Sequence, residues 1–435
     1  MDFEHSPLAQ TLQQRLGTFM QRYVLPHNAA WHQSVQQGIY PPPFLEDLKS
    51  LAREEGLWNL FLPCLRDDEP GTRLSNLDYA PLAETMGRLP WAAEVFNCSA
   101  PDTGNTELLH RFATPAQRKQ WLKPLLNGEI RSAFAMSEPD VASSDPTNLQ
   151  TTVKRDGDTL VLNGRKWFIT GVAHPNCRLL IVMARNADES TGTSDAAADK
   201  HHGHSMLLLP LNTPGVEVVR NIPVVHHHAP EGHCEIVFRN VRVPADHLLG
   251  GWGDGFSMAQ ARLGPGRVHH CMRTIGQCEL ALEMASERAL ERESFGRHLS
   301  DYANVQEWIA QSRIEIDQAR LLVLRCAWLL DLPERTDVAN VRAQVAAIKV
   351  VAAGLQTRVM DRAMQIFGAM GLSPDTPLAY FWTWGRALHL MDGPDEVHLR
   401  SVARHELALA KARMGASAAY FTTPEQMRTP PHLSA

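Results

Sequence analysis

Apolar and polar positions divide the chain into three stretches with different periods. Up to about residue 130 the spacing is helical. Residues 8–24 carry apolar side chains at a 3.6-residue period, and Pro42 and Pro43 interrupt it. Residues 44–55 resume it until Gly56, placed as a C-terminal cap. Residues 57–63 form a continuous apolar run, which predicts burial, and 76–86 are helical again. A loop over 100–105 leads into a helix ending near Phe112. Thr114 as N-cap with Pro115 at the first helical position opens another, stopped by Asn127-Gly128. From residue 131 short β-prone runs replace this pattern, at 160–163, 178–184, 205–210, 216–219 and 235–243. Asp156-Gly157-Asp158 between two such runs predicts a hairpin turn. Residues 185–204 are a low-complexity insertion between strands. From about residue 252 long helices return, at 255–294 with a break at Gly264-Pro265-Gly266, then 304–330, 341–367, 378–390 and 394–414. Their lengths imply a bundle.

The expected fold is therefore α+β and multidomain. It comprises an N-terminal helical domain (1–130), a middle β-barrel-like domain (131–247), a C-terminal four-helix bundle (248–417) and a mobile tail (418–435).

Composition narrows the function classes. A 435-residue chain with 44% hydrophobic and 21% charged residues is ordinary globular material. A net charge of −6 gives no nucleic-acid footprint. No apolar run approaches the ~18 residues of a membrane span. The N-terminus lacks a basic-then-apolar signal pattern. The seven cysteines form no C-x-x-C pair, so a reduced, cytoplasmic setting is expected, without structural disulfide or metal. The histidine clusters at 201–204 and 226–228 are expected on surface loops.

The chemistry concentrates between Ala133 and Gly171. Small hydroxyls, backbone amides and the aromatic pair Trp167 and Phe168 suit a flat, polar-rimmed cofactor. An ordinary polar turn with two core aromatics reads equally well. The motifs Phe134-x-Met136-Ser137-Glu138-Pro139 with Ser144-Asp145, then Asn163-Gly164-x-Lys166-x-Phe168-Ile169-Thr170, resemble the flavin-binding segment of the acyl-CoA dehydrogenase family. Ser137 stands where that family usually has Thr, and the loop before Ser144 is one residue longer. The helix–sheet–helix order of the whole chain resembles the same family.

The resemblance implies FAD, held by Phe134, Met136, Ser137, Ser144, Phe168 and Thr170. It also implies that Arg292 and Phe295, in Arg292-x-x-Phe295-Gly296-Arg297, meet the flavin pyrophosphate of a neighbouring subunit, with Gln365, Gly368 and Ala369 approaching the cofactor. A guanidinium suits pyrophosphate, although a surface arginine and a core phenylalanine satisfy the same pattern. Asp392-Gly393 aligns with the family's Glu-Gly pair, which makes Asp392 the catalytic base. From the residues alone, the favoured reading is that Asp392 or Gly393 caps the last helix. Arg267, Ser144 and Gly393 are the implied acyl-CoA contacts, and a structural ion pair is the alternative for Arg267.

Further segments, 56–63, 100–105, 262–273 and 392–399, resemble the branch of the family that in eukaryotes is fused to an aminoglycoside-phosphotransferase-like kinase domain. The expectation is α,β-dehydrogenation of a long or branched acyl-CoA by a homodimer or homotetramer that passes electrons to an electron-transferring flavoprotein. The alternatives are 4-hydroxyacyl-CoA processing with a partner kinase and phosphate elimination, a nitroalkane-oxidase-like flavin oxidase, and a non-catalytic flavin or acyl-CoA binding protein. For the phosphate-eliminating activity, His269 and His270 are candidates.

Overall fold

The computed structural model describes residues 4–187, 202–332 and 338–421. Most of the low-complexity insertion, His201 and residues 422–435 of the expected tail lie outside the described residues.

The N-terminal block holds helices α1 (Pro7–Phe19), α2 (Asn28–Gln36), α3 (Phe44–Glu54), α4 (Asn76–Gly87), α5 (Ala92–Val95), α6 (Asp102–Phe112), α7 (Pro115–Gln117) and α8 (Lys123–Leu126). The helix expected to reach residue 24 leaves α geometry at Phe19 and continues as a wider π turn, Met20–Val24. Thr114 caps α7, and the Gln117 side chain returns the bond to the Thr114 backbone. In the apolar run after Gly56, Leu57, Leu60 and Leu62 are fully buried.

The strands are β1 (Arg131–Ala135), β2 (Thr152–Asp156), β3 (Thr159–Thr170), β4 (Cys177–Asn186), β5 (His204–Pro210), β6 (Val216–Asn221), β7 (His233–Pro244) and β8 (Leu248–Leu249). They form one mixed sheet in the order β6-β7-β3-β2-β4-β5-β8, with β1 running parallel to β4. The turn between β2 and β3 is the Asp-Gly-Asp hairpin, with Gly157 at φ +60. Leu162, Leu180, Val182, Leu207 and Ile236 fill the core of this unit. His204 is a correction: it pairs with Arg185 at the start of β5 and is buried, because the strand extends further back than its β-prone residues. His227, expected at the surface, is half-buried with its ring 4.9 Å from that of Tyr380.

The C-terminal block holds α9 (Gly255–Glu291), a small hairpin of β9 (Glu293–Ser294) and β10 (Arg297–His298), α10 (Ala303–Asp331), α11 (Val338–Phe367), α12 (Leu378–Leu388) and α13 (Asp395–Ala412). The break expected at Gly264-Pro265-Gly266 is absent, and α9 runs through it. One proline forfeits one backbone bond, and the packing of a 37-residue helix outweighs that loss. The seat of α9 against α4 is set by Gly87 and Gly276, where a Cβ would strike the opposite backbone at Arg273 and Glu84. The segment Val338–Leu372, α11 and the turn after it, is long and apolar enough by composition to cross a membrane. Here α11 is a core helix of the bundle, with Ile348, Ala352, Val359 and Met360 buried.

Candidate active site

β3 does not run straight into its last residues. Its register against β7 slips between Lys166 and Ile169, and Phe168 takes a left-handed backbone at φ +53. This bulge turns Phe168 outward, 42% exposed, with its ring 5.0 Å from that of Trp167. Trp167 N donates to Ser137 O at 3.0 Å, which ties the bulge to the loop leaving β1. Buried Lys166 tightens the tie, its Nζ reaching Met136 O and Glu138 Oε1, both at 2.8 Å. Phe134, Met136, Ser137, Phe168 and Thr170 are thereby brought together. Thr170 Oγ1 lies 3.0 Å from His233 Nδ1, while the buried Nε2 of His233 has no hydrogen-bond partner among the described residues. Burial pushes His233 down to about 4, so the imidazole is neutral. Ser144 stands exposed on the loop before β2, beside Asp145, which accepts from Thr147 N.

Phe134 connects this group to a second one. The Arg262 guanidinium lies 4.2 Å over the Phe134 ring, and its Nε donates to Asn105 Oδ1 at 2.9 Å. Arg262 is 9% exposed, and its terminal nitrogens make no hydrogen bond among the described residues. Asp392 is its strongest favourable charge neighbour.

Asp392 and Gly393 occupy consecutive left-handed positions, at φ +53 and +98, between α12 and α13. This strained pair is clamped through its carbonyls. Arg267 Nε donates to Asp392 O at 2.9 Å, His398 Nε2 lies 3.2 Å from the same oxygen, and Lys349 Nζ donates to Gly393 O at 2.8 Å. A side chain at Gly393 would press on His398. The capping alternative is not what forms. Pro394 is the N-cap of α13, and Asp395, in its first turn, pairs with Lys349 and His389. Arg267 bonds a carbonyl, not a structural carboxylate. The Asp392 carboxylate makes no hydrogen bond within 3.5 Å of ideal form to any described group, and His270 Nε2 stands 3.5 Å from Oδ2. Burial pushes this carboxyl up, but His270, Arg262, Arg267 and Lys349 together hold it below the usual aspartate value. It is an available anion in a cationic setting.

His269 and His270 part company. His269 is fully buried with its ring 5.0 Å from Tyr79 and 6.1 Å from Phe61, both nitrogens without a partner among the described residues, and burial pushes it down to about 3. Only His270 faces Asp392.

The remaining predicted residues lie elsewhere. Arg292 and Phe295 are at the far end of α9, with Phe295 98% exposed at the tip of the β9–β10 hairpin. Gln365, Gly368 and Ala369 are exposed at the end of α11, next to Phe367, whose ring lies 5.7 Å from the Arg288 guanidinium. Thirty helical residues separate Arg262 from Arg292, roughly 45 Å at 1.5 Å per residue. Arg292 and Phe295 therefore lie far from the Phe134–Asp392 group within one chain.

Three family models match the chain: the acyl-CoA dehydrogenase N-terminal domain over residues 6–129, the middle domain over 133–241 and the C-terminal domain over 253–407. The chain belongs to the acyl-CoA dehydrogenase family. It is 50% identical over 423 residues to the Mycobacterium tuberculosis protein "Probable acyl-CoA dehydrogenase FadE2", covering 96% of this chain and all of that one. It is 45% identical to acyl-CoA dehydrogenase family member 11 of Gallus gallus, covering 93% of this chain but 51% of that protein. It therefore spans about half the length of that relative. Among solved structures, butyryl-CoA dehydrogenase of Megasphaera elsdenii superposes with a TM-score of 0.77 at 27% identity, over 94% of this chain and all of that one.

The acyl-CoA dehydrogenase family binds FAD. The first group fits a flavin ring. The bulge presents one exposed aromatic side chain, the Thr170 hydroxyl lies beside His233, and the buried His233 Nε2, without a hydrogen-bond partner among the described residues, is left for a polar group there. Sequence reasoning had assigned no part here to Arg262, Lys349, His398 or His233.

Proposed function

We propose that this chain catalyses α,β-dehydrogenation of an acyl-CoA with Asp392 as the base. The observation that carries this reading is the carboxylate itself: anionic, not consumed by a structural bond, and fixed by a clamped backbone. Phe168, Ser137 and Thr170 would hold the flavin ring opposite it, with Phe134 and Met136 behind. When bound, FAD accepts the substrate's β-hydrogen as hydride. Asp392 takes the α-proton, and covering the site with the acyl chain removes water and raises the carboxylate's affinity for that proton. Asp is a methylene shorter than Glu, so the acyl chain must approach the clamp closely. Long or branched acyl groups follow from the branch resemblance. Reoxidation by an electron-transferring flavoprotein belongs to the same proposal, as does the homo-oligomer. The oligomer is supported by exposed Phe295 and by Arg292, whose guanidinium has no partner among the described residues. Anaerobic titration with a panel of acyl-CoAs tests the reading. The flavin should bleach with one chain-length class, and a flavin that stays oxidised with every member counts against it.

A second reading is favoured by Arg262. A buried guanidinium with free N–H groups between the Phe134 ring and Asp392 is costly in a slot meant for hydrocarbon alone. It suits an acyl chain bearing oxygen, as in a 4-hydroxyacyl-CoA that a partner kinase phosphorylates and this enzyme then converts with loss of phosphate. Arg262→Met should lower kcat/KM for 4-phosphoacyl-CoA by about 10- to 100-fold, the worth of a charged hydrogen bond, and leave unsubstituted acyl-CoAs within a few-fold. Equal losses on both would remove this reading.

A further inference from the structure

We propose that His270 is the positioning residue of the base: its Nε2–H holds Oδ2 of Asp392 and leaves Oδ1 to face the substrate. This rests on the reading of Asp392 as base.

The argument begins with the tautomer. Arg273 Nη2 lies 3.3 Å from His270 Nδ1, and arginine can only donate, so Nδ1 keeps its lone pair and the ring proton sits on Nε2. Arg273 is itself placed by Nη1 donating to Cys98 O at 3.4 Å and by the close approach of its backbone to Gly87. The Nε2–H therefore points from a fixed ring toward Asp392 Oδ2, 3.5 Å away. Catalytic hydrogen bonds of this length tighten once substrate fills the site. No other basic side chain comes within 4.0 Å of that carboxylate among the described residues, since Arg267, His398 and Lys349 are spent on backbone carbonyls. The backbone clamp sets where the aspartate starts, and His270 sets where its oxygens end.

The charged neighbours are Arg262, Arg267 and Arg273 from α9, Lys349 from α11 and Asp395 from α13, with the titratable His398 of α13 neutral beside them. Burial and Arg273 push His270 down to about 4. The ring is then neutral through the working range, where it reaches Asp392 as an N–H donor while Arg262, Arg267 and Lys349 supply the positive charge, and this donation does not switch off as pH rises.

The test compares holoenzymes of wild type, His270→Leu, His270→Gln and Asp392→Asn on the acyl-CoA that bleaches wild type, from pH 5 to 9. Glutamine can accept from Arg273 and donate to Asp392, whereas leucine can do neither. His270→Leu should lower kcat by about 10- to 100-fold, the cost of a misplaced catalytic group, with KM little changed. Loss of the N–H donor should move the acid limb of kcat/KM to higher pH. His270→Gln should restore the limb and most of kcat. If His270→Leu does not fold, His270→Asn, too short to span both partners, should show the same shift. An unmoved limb in the Leu or Asn variant, or a Gln variant as poor as Leu, overturns the inference. Full activity in Asp392→Asn overturns the base assignment instead, so the two failures are separable.

Discussion

Asp392→Asn should keep its flavin spectrum and lose turnover of acyl-CoA by about 10³- to 10⁴-fold, the upper range for removing a general base. The amide preserves the shape of the side chain but cannot take a proton. The clamp should survive, because Arg267, His398 and Lys349 all bind carbonyls of residues 392 and 393. Flavin bleaching under rapid mixing measures the step directly, apart from product release. The pH dependence has a definite sign. Burial raises the carboxyl, and the surrounding cations more than offset it, so its free-enzyme pKa is lowered. Wild-type kcat/KM should be flat near neutrality and fall only as pH drops through that lowered value. In the substrate complex water is gone and the pKa rises, so the acid limb of kcat should lie above that of kcat/KM. Asp392→Glu should retain partial activity, with a base displaced by one methylene. A non-catalytic binding protein would show no turnover to lose. Retained bleaching in Asp392→Asn would mean another group takes the proton.

Local order explains which features could be read beforehand. Helices were legible where a 3.6-residue apolar period met a cap, as at Gly56 and Thr114, and strands where β-branched runs met the Asp-Gly turn. The continuity of α9 was not, because the proline rule is local and the packing that overrides it comes from α11 and α4. Apart from His233 on β7, the residues grouped at the bulge lie within 37 positions, Phe134 to Thr170, so a motif could expose them. The surroundings of Asp392 come from α9, α11 and α13, and no window of sequence contains them together. Successive helix residues point about 100° apart, so of His269 and His270 only one can face the aspartate. The chain alone does not say which. The polar run Arg262, Arg267, His270 and Arg273 along a helix that is otherwise largely core was the available signal.

The second large effect belongs to a pair that touches no substrate. Glu138→Ala should destabilise the sheet domain by about 3–5 kcal/mol, the cost of stranding a buried charge, and reduce FAD retention with it. Lys166 is 0% exposed, and the Glu138 side chain is 3% exposed. The Glu138 carboxylate also accepts from Gln150 N at 2.6 Å and Thr151 N at 3.0 Å. One side chain thus gathers the β1 loop, the start of β2 and the bulge of β3. Removing it leaves the ammonium with Met136 O alone and strands two backbone donors. Lys166→Met should cost less, since the carboxylate keeps both N–H donors. Glu138→Gln with Lys166→Met should recover much of the loss, because it buries no charge and keeps an acceptor. The pH signature follows from direction. Burial raises Glu138, but Lys166 and the backbone donors hold it below 4.5, so its stabilising contribution is present above that value and lost as pH falls through the lowered one. Wild-type unfolding free energy should therefore decline on acidification, and that part of the decline should be missing in Glu138→Ala. Denaturant unfolding at several pH values, with released FAD measured alongside, checks this. Equal stability of wild type and Glu138→Ala at neutral pH would mean that the loop does not depend on this pair.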